Sequence, residues 1–296
     1  GLVVAPDEAA AKKLFSDLRL FWDESVLYYP DRELIFYDID TLSKDIISSR
    51  LDAINKLANG RARVVVTTIS ALAGSAPQKS VFENIITFET GGICDIDLAI
   101  EAFVRLGYVR EDIVEGRGQF AIRGGIIDFF PHTSETPVRI ELFSDEIDSI
   151  REFDPITQRS LGTINKSSIT PANEIILNKE QRNDLVKKLI KLCDRTDNEV
   201  LNKNLKRDIE RLQNNLYFPS IDKYIPFIYE EIPTLLDYLP DSSLIFLYQP
   251  SRIAEIAKSD ELRFAEQTAA FAEKGILPSA GMKWRKEYYD TIHEMT

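Results

Sequence analysis

The chain has 296 residues, of which 44% are hydrophobic, with 13 glycines and 13 prolines; this suits about two packed globular domains and excludes collagenous, coiled-coil and disordered chains. Lys and Arg number 36 against 48 Asp and Glu, a formal charge of −12, so the net field repels phosphate and disfavours autonomous binding of nucleic acid. Cys94 and Cys193 lie far apart without a CxxC partner, which excludes a disulfide framework or zinc cluster and suits a reducing cytoplasm, while the absence of a long apolar run or a basic-then-apolar leader argues against a membrane span or export. The first residue is Gly1 rather than Met, which suggests a piece of a longer protein.

In chain order, Leu2-Val3-Val4-Ala5 reads as a strand. Asp7 then N-caps a helix in which Ala10, Leu14, Leu18 and Phe21 recur at helical spacing. A second strand is expected at Leu34-Ile35-Phe36-Tyr37, followed by a helix from about Ser43 that carries Ile46, Ile47, Leu51, Ile54 and Leu57 and closes at Asn59-Gly60. The β-branched run Val64-Val65-Val66-Thr67-Thr68 completes the pattern. Continuous apolar strands alternating with amphipathic helices imply an α/β domain with a parallel sheet.

From Val81 the texture changes to a strand, one helix with Leu98, Ile100, Ala102 and Phe103, and then strands of period two, among them Gln119 to Arg123 and Val138 to Phe143. Glycine pairs and Pro137 punctuate them, as expected for a small α+β domain with an antiparallel sheet. Helices return after Pro171, with Leu185, Leu189 and Leu192, then Leu201, Leu205, Ile209 and Leu212. Leu244-Ile245-Phe246-Leu247-Tyr248 reads as one more buried strand, leading into a helix at Ser251. The α/β texture thus resumes after an insertion.

Catalytic chemistry is hard to find. There is no GxxxxGK[ST] loop, Gly116-Arg117-Gly118 precedes an alternating strand and reads as a turn, and Tyr248-Gln249-Pro250 offers no magnesium carboxylate at a strand end. His132 and His293 have no metal-binding or triad context and read as surface residues. Asp145-Glu146-Ile147-Asp148 reads as a solvated face, and Ser134 as a turn hydroxyl. No catalytic residue, metal ligand or cofactor site is assigned. What stands out is the alternation of Val138, Ile140 and Leu142 against Arg139, Glu141 and Phe143. Arg123 points outward in the same manner, with Ala121, on a strand expected to pair with the first. An arginine beside an exposed aromatic has the make-up of a binding hot spot; surface ion pairs and a buried Phe143 are the competing account, and pattern alone leaves both open.

The stretch from Gly118 through Ile122-Arg123-Gly124-Gly125-Ile126-Ile127-Asp128-Phe129-Phe130-Pro131, continuing through Val138-Arg139-Ile140-Glu141-Leu142-Phe143 to Asp154-Pro155 and Gln158-Arg159-Ser160-Leu161, resembles the UvrB-homology module of the bacterial transcription-repair coupling factors. Asp45-Ile46-Ile47-Ser48-Ser49-Arg50-Leu51, Pro171-Ala172-Asn173-Glu174 and Thr234-Leu235-Leu236-Asp237-Tyr238-Leu239-Pro240 extend the likeness over nearly the whole chain. The resemblance implies a helicase-like, RecA-like α/β domain of the UvrB type in two sequence pieces, 1–84 and 171–296. A small α+β domain, 85–170, is inserted between them. It implies that the insertion recruits the repair protein UvrA through Arg123, Arg139 and Phe143, and that the ATP site of this module is lost. It also implies that the full-length protein is an ATP-dependent DNA translocase, meeting RNA polymerase and duplex DNA through other domains. UvrB itself and an active nucleotide-dependent helicase are the alternatives.

Overall fold

The computed structural model describes residues 1–37, 44–82, 85–279 and 282–295. The chain begins with β1 (Leu2–Ala5), α1 (Glu8–Trp22), β2 (Val26–Tyr29), α2 (Lys44–Ala58), β3 (Val64–Thr68) and a short α3 (Ile69–Ala73). It continues through β4 (Thr87–Glu89), α4 (Ile96–Arg105), β5 (Val109–Arg110), β6 (Gln119–Arg123), β7 (Ile126–Phe129), β8 (Val138–Phe143), β9 (Glu146–Phe153), β10 (Ser160–Ile164) and β11 (Lys166–Ser168). The last part holds α5 (Lys179–Cys193), α6 (Glu199–Gln213), α7 (Ile225–Ile228), β12 (Ile245–Leu247), α8 (Pro250–Glu273) and α9 (Tyr288–Glu294). Two compact units result: residues Gly1–Ile46, Lys56–Ala76 and Leu177–Thr296 form the first, and Ile47–Asn55 with Pro77–Ile176 the second. Residues 43 and 84, where a helix start and a domain limit were expected, lie outside the described residues.

The first unit is built on a four-stranded parallel sheet of order β12-β1-β3-β2. Asp7 caps α1 as its position predicts, its Oδ1 accepting from the Ala10 N–H at 2.9 Å. Ala10, Leu14, Phe15 and Leu18 pack toward Val26 and Val66, but Phe21 lies outside this cluster and is exposed. Residues 34–37 do not form the expected strand. The Ile35 N–H donates to the Asp222 carboxylate at 2.9 Å instead of to a neighbouring strand, and Phe36 is buried among Phe264, Phe271 and Trp284. The second strand is Val26–Tyr29, separated from α1 by a 3₁₀ turn at Asp23–Ser25. The expected buried strand at 244–248 is also corrected: β12 is the edge of the sheet, and Leu244, Phe246 and Tyr248 are exposed.

In the second unit the sheet order is β10-β9-β8-β7-β6-β5, antiparallel except where β5 runs parallel to β6. Val81 lies in a 3₁₀ turn, and the strand expected from it begins only at Thr87. Helix α4 supplies the core with Ala99, Ala102 and Phe103, and the Phe103 ring stacks on Phe120 at 4.7 Å. Phe129, Val138, Ile140 and Ile150 complete this face of the sheet. The opposite face is not wholly solvated. Ala121, expected to point into water, is buried in a second small cluster with Val114, Phe130 and Phe153. His132 is corrected too: it is buried, and its Nδ1 lies 2.7 Å from Ser48 Oγ. Nearby, Arg50 binds Glu174 through Nε at 2.6 Å and Nη2 at 3.1 Å, a buried bidentate pair.

Candidate protein-interaction face

Strand alternation on β8 is as the sequence predicts: Val138 and Ile140 are buried, Leu142 packs at the core margin, and Arg139, Glu141 and Phe143 take the other face. Strand β6 does not pair with β8. Strand β7 lies between them, with Asp128 directly across from Ala121 on one side and Arg139 on the other. This register brings both arginines to one carboxylate. Arg139 donates from Nε to Asp128 Oδ1 at 2.7 Å and from Nη2 to Oδ2 at 2.9 Å, and Arg123 donates from Nη2 to the same Oδ2 at 2.9 Å.

The two arginines differ in what else holds them. The side chain of Asp128 is 1% exposed, that of Arg139 20% and that of Arg123 49%. Arg139 also lies over the Phe153 ring at 4.6 Å and reaches the Gln158 side chain at 3.3 Å. Its hydrogen bond to Asp128 raises its guanidinium above the ordinary value, outweighing the burial that acts against it. Gln158 adopts positive φ at the end of a turn that Asp154 builds by accepting from Ile156 and Thr157 N–H groups. The Thr157 backbone bond, followed by its hydroxyl, holds the Asp154 carboxyl below the usual range. Arg139 is therefore fixed from three sides, whereas Arg123 keeps an outer edge in water.

Phe143 is 79% exposed at the end of β8. Arg123 lies across from Ile126, which lies across from Glu141, so Arg123 and Phe143 occupy neighbouring rows of one sheet face. Glu141 is engaged by Arg151 Nη2 at 3.1 Å and by Ser149 Oγ at 3.0 Å. The face thus presents an apolar tip, a half-exposed guanidinium and a ladder of paired charges.

Asp128 is the residue that sequence reasoning missed. A lone acid between Ile127 and Phe129, on a strand flanked by two arginine-bearing strands, was the available signal. Among the described residues no cluster of His, Cys, Asp or Glu could hold a metal ion, and no helix is long and apolar enough to cross a membrane.

Comparison with known proteins agrees with this unit. Residues 86–175 match the UvrB interaction domain family. The chain is 38% identical over 275 residues, 90% of its length, to the transcription-repair-coupling factor of Bacillus subtilis (strain 168). It is 32% identical over 268 residues, 87% of its length, to that of Staphylococcus aureus (strain bovine RF122 / ET3-1), and it spans 23% of the length of each. The chain is therefore similar, over nearly all its length, to a segment of the transcription-repair-coupling factors, with residues 86–175 matching the UvrB interaction domain.

Proposed function

We propose that this chain is a recruitment module without catalytic activity, which binds UvrA through its inserted α+β domain, residues 85–170, at a site formed by Arg123, Arg139 and Phe143. Residues 1–84 and 171–296 are the two pieces of a helicase-like domain that has lost its nucleotide site. In the full-length protein, an ATP-dependent DNA translocase of the cytoplasm, the module brings nucleotide excision repair to a stalled RNA polymerase on duplex DNA. The observation that carries the reading is Phe143, a large aromatic exposed beside a half-exposed arginine, the composition of a hot spot. Within the site the roles divide. Phe143 is the apolar anchor, Arg123 meets an acidic group of UvrA, and Arg139 holds Asp128 and through it the position of Arg123.

Two features of the first unit support the loss of nucleotide binding. Ligands of open parallel sheets bind beyond the C-terminal ends of the strands, where adjacent strands send their connections in opposite directions, and here that point lies between β1 and β3. Beyond β1 the chain makes a short turn at Pro6-Asp7, and the Asp7 carboxylate caps α1 and pairs with Arg252 Nη2 at 2.6 Å. A carboxylate thus occupies the helix N-terminus that a phosphate would need. The sequence after β12, Tyr248-Gln249-Pro250, supplies no acid for magnesium.

The test is calorimetric titration of the whole chain with purified UvrA. Saturable binding is expected, weakened about thirtyfold by Phe143→Ala, or about 2 kcal/mol. Absence of binding by the wild-type chain, or a Phe143→Ala variant that binds equally well, rejects the assignment.

A further inference from the structure

The loop before α4 places a second large apolar side chain on the face that carries Phe143. Residues 89–92 form a turn in which the Gly92 N–H donates to the Glu89 carbonyl at 2.9 Å and Gly91 adopts φ +81°. A Cβ on Gly92 would stand 2.9 Å from the Glu89 carbonyl oxygen, so glycine is required for the chain to turn this tightly. Three backbone bonds of 2.8 Å then tie the loop to the β8-β9 hairpin: Gly91 N–H to Ile147 O, Ile147 N–H to Gly92 O, and Cys94 N–H to Asp145 O. Cys94 enters the core, where burial and then Asp95 push its thiol pKa up. Ile93, next to it, turns outward and is 72% exposed.

The pairing determines which face Ile93 takes. Glu146 lies directly across from Phe143 on β8, and across from Ile93 through an isolated antiparallel bridge. Residues directly opposite in antiparallel pairs project to the same side. Phe143, Glu146 and Ile93 therefore form one row, with the two apolar side chains about 10 Å apart at two strand spacings. Exposed β-branched and aromatic residues on a rigid, hydrogen-bonded support lose little entropy when covered.

We infer that Ile93 is a second apolar anchor of the interaction face, and that Phe143 and Ile93 together grip an apolar ridge on the protein partner, with Glu146 between them and Arg123 to one side. The inference rests on the recruitment reading above, because it takes the same partner. It adds that partner's chemistry: apolar surface spanning both anchors, an acidic group opposite Arg123 and a basic group opposite Glu146. Continuity of the row with Phe143, and a single acid flanked by two exposed apolar side chains, carry the commitment to a protein partner.

The experiment measures UvrA binding by calorimetry for the whole chain and its Ile93→Ala, Ile93→Thr and Phe143→Ala variants, with a thermal melt of each. Ile93→Ala is expected to melt like wild type and to bind about tenfold more weakly. Ile93→Thr keeps the β-branched backbone preference while replacing the apolar ethyl arm by a hydroxyl, and is expected to weaken binding in the same direction; it decides the matter if the alanine variant melts early. If both Ile93 variants bind within about twofold of wild type while Phe143→Ala is weakened, the second anchor is rejected and the recruitment reading stands. If Phe143→Ala also binds like wild type, both fall.

Discussion

Arg139 and Arg123 share Asp128, yet the same substitution in each has different consequences. Replacing Arg139 by Ala removes a two-pronged bond and the cover of Phe153, leaving a buried carboxylate with one remaining partner. Loss of one partner from a buried ion pair costs about 3 kcal/mol or more. Arg123 contributes a single bond from a side chain that is half in water, where screening reduces its worth to under about 1 kcal/mol. Urea unfolding should therefore separate the two variants clearly, Arg139→Ala losing about 3 kcal/mol and Arg123→Ala less than about 1. Equal losses would contradict the assignment of Arg139 as the strut and Arg123 as the outward contact. The distinction was not legible in the sequence, where both arginines occupy outward positions of alternating strands. It depends on Asp128, whose strand inserts between theirs.

Strand β8 carries a contrast of its own. Ile140 is fully buried between Ile127 and Ile150, so Ile140→Ala should cost about 2 to 4 kcal/mol through lost transfer energy and the cavity left behind. Phe143→Ala, three residues on, should change unfolding by no more than about 0.5 kcal/mol. Thermal melts of the two variants check this directly, and an early melt for Phe143→Ala would place that ring in the core. Here period two sufficed to read the element, because both neighbours of β8 are strands and one face is covered by α4. Elsewhere local pattern failed for physical reasons. Residues 34–37 are as apolar as a strand, but the Ile35 N–H goes to Asp222 and the Phe36 ring to Phe271 on α8 and to Trp284. His132 lies in a loop by sequence, yet the hydroxyl of Ser48, 84 positions away, meets it in the interior. The cap at Asp7, the parallel run at 64–68 and the turn at Gly124-Gly125 were legible because each is decided by its immediate neighbours.

At the scale of the molecule, a charge of −12 and an acid at the sheet's switch point act together against phosphate ligands. Calorimetric titration with ATP and magnesium should give no binding in the micromolar range. A micromolar dissociation constant that disappears on chelating the metal would restore an active helicase as the better reading. The shared carboxylate of the second unit also bears on how such a protein can change over generations. Asp128 and Arg139 form a buried pair of charges, so a substitution at either position leaves its partner to be accommodated and calls for a compensating change, whereas Arg123, held by one bond and half in water, can be replaced alone. Phe143 and Ile93 belong to no such pair. A lineage that holds this framework fixed can retune its choice of partner one apolar side chain at a time.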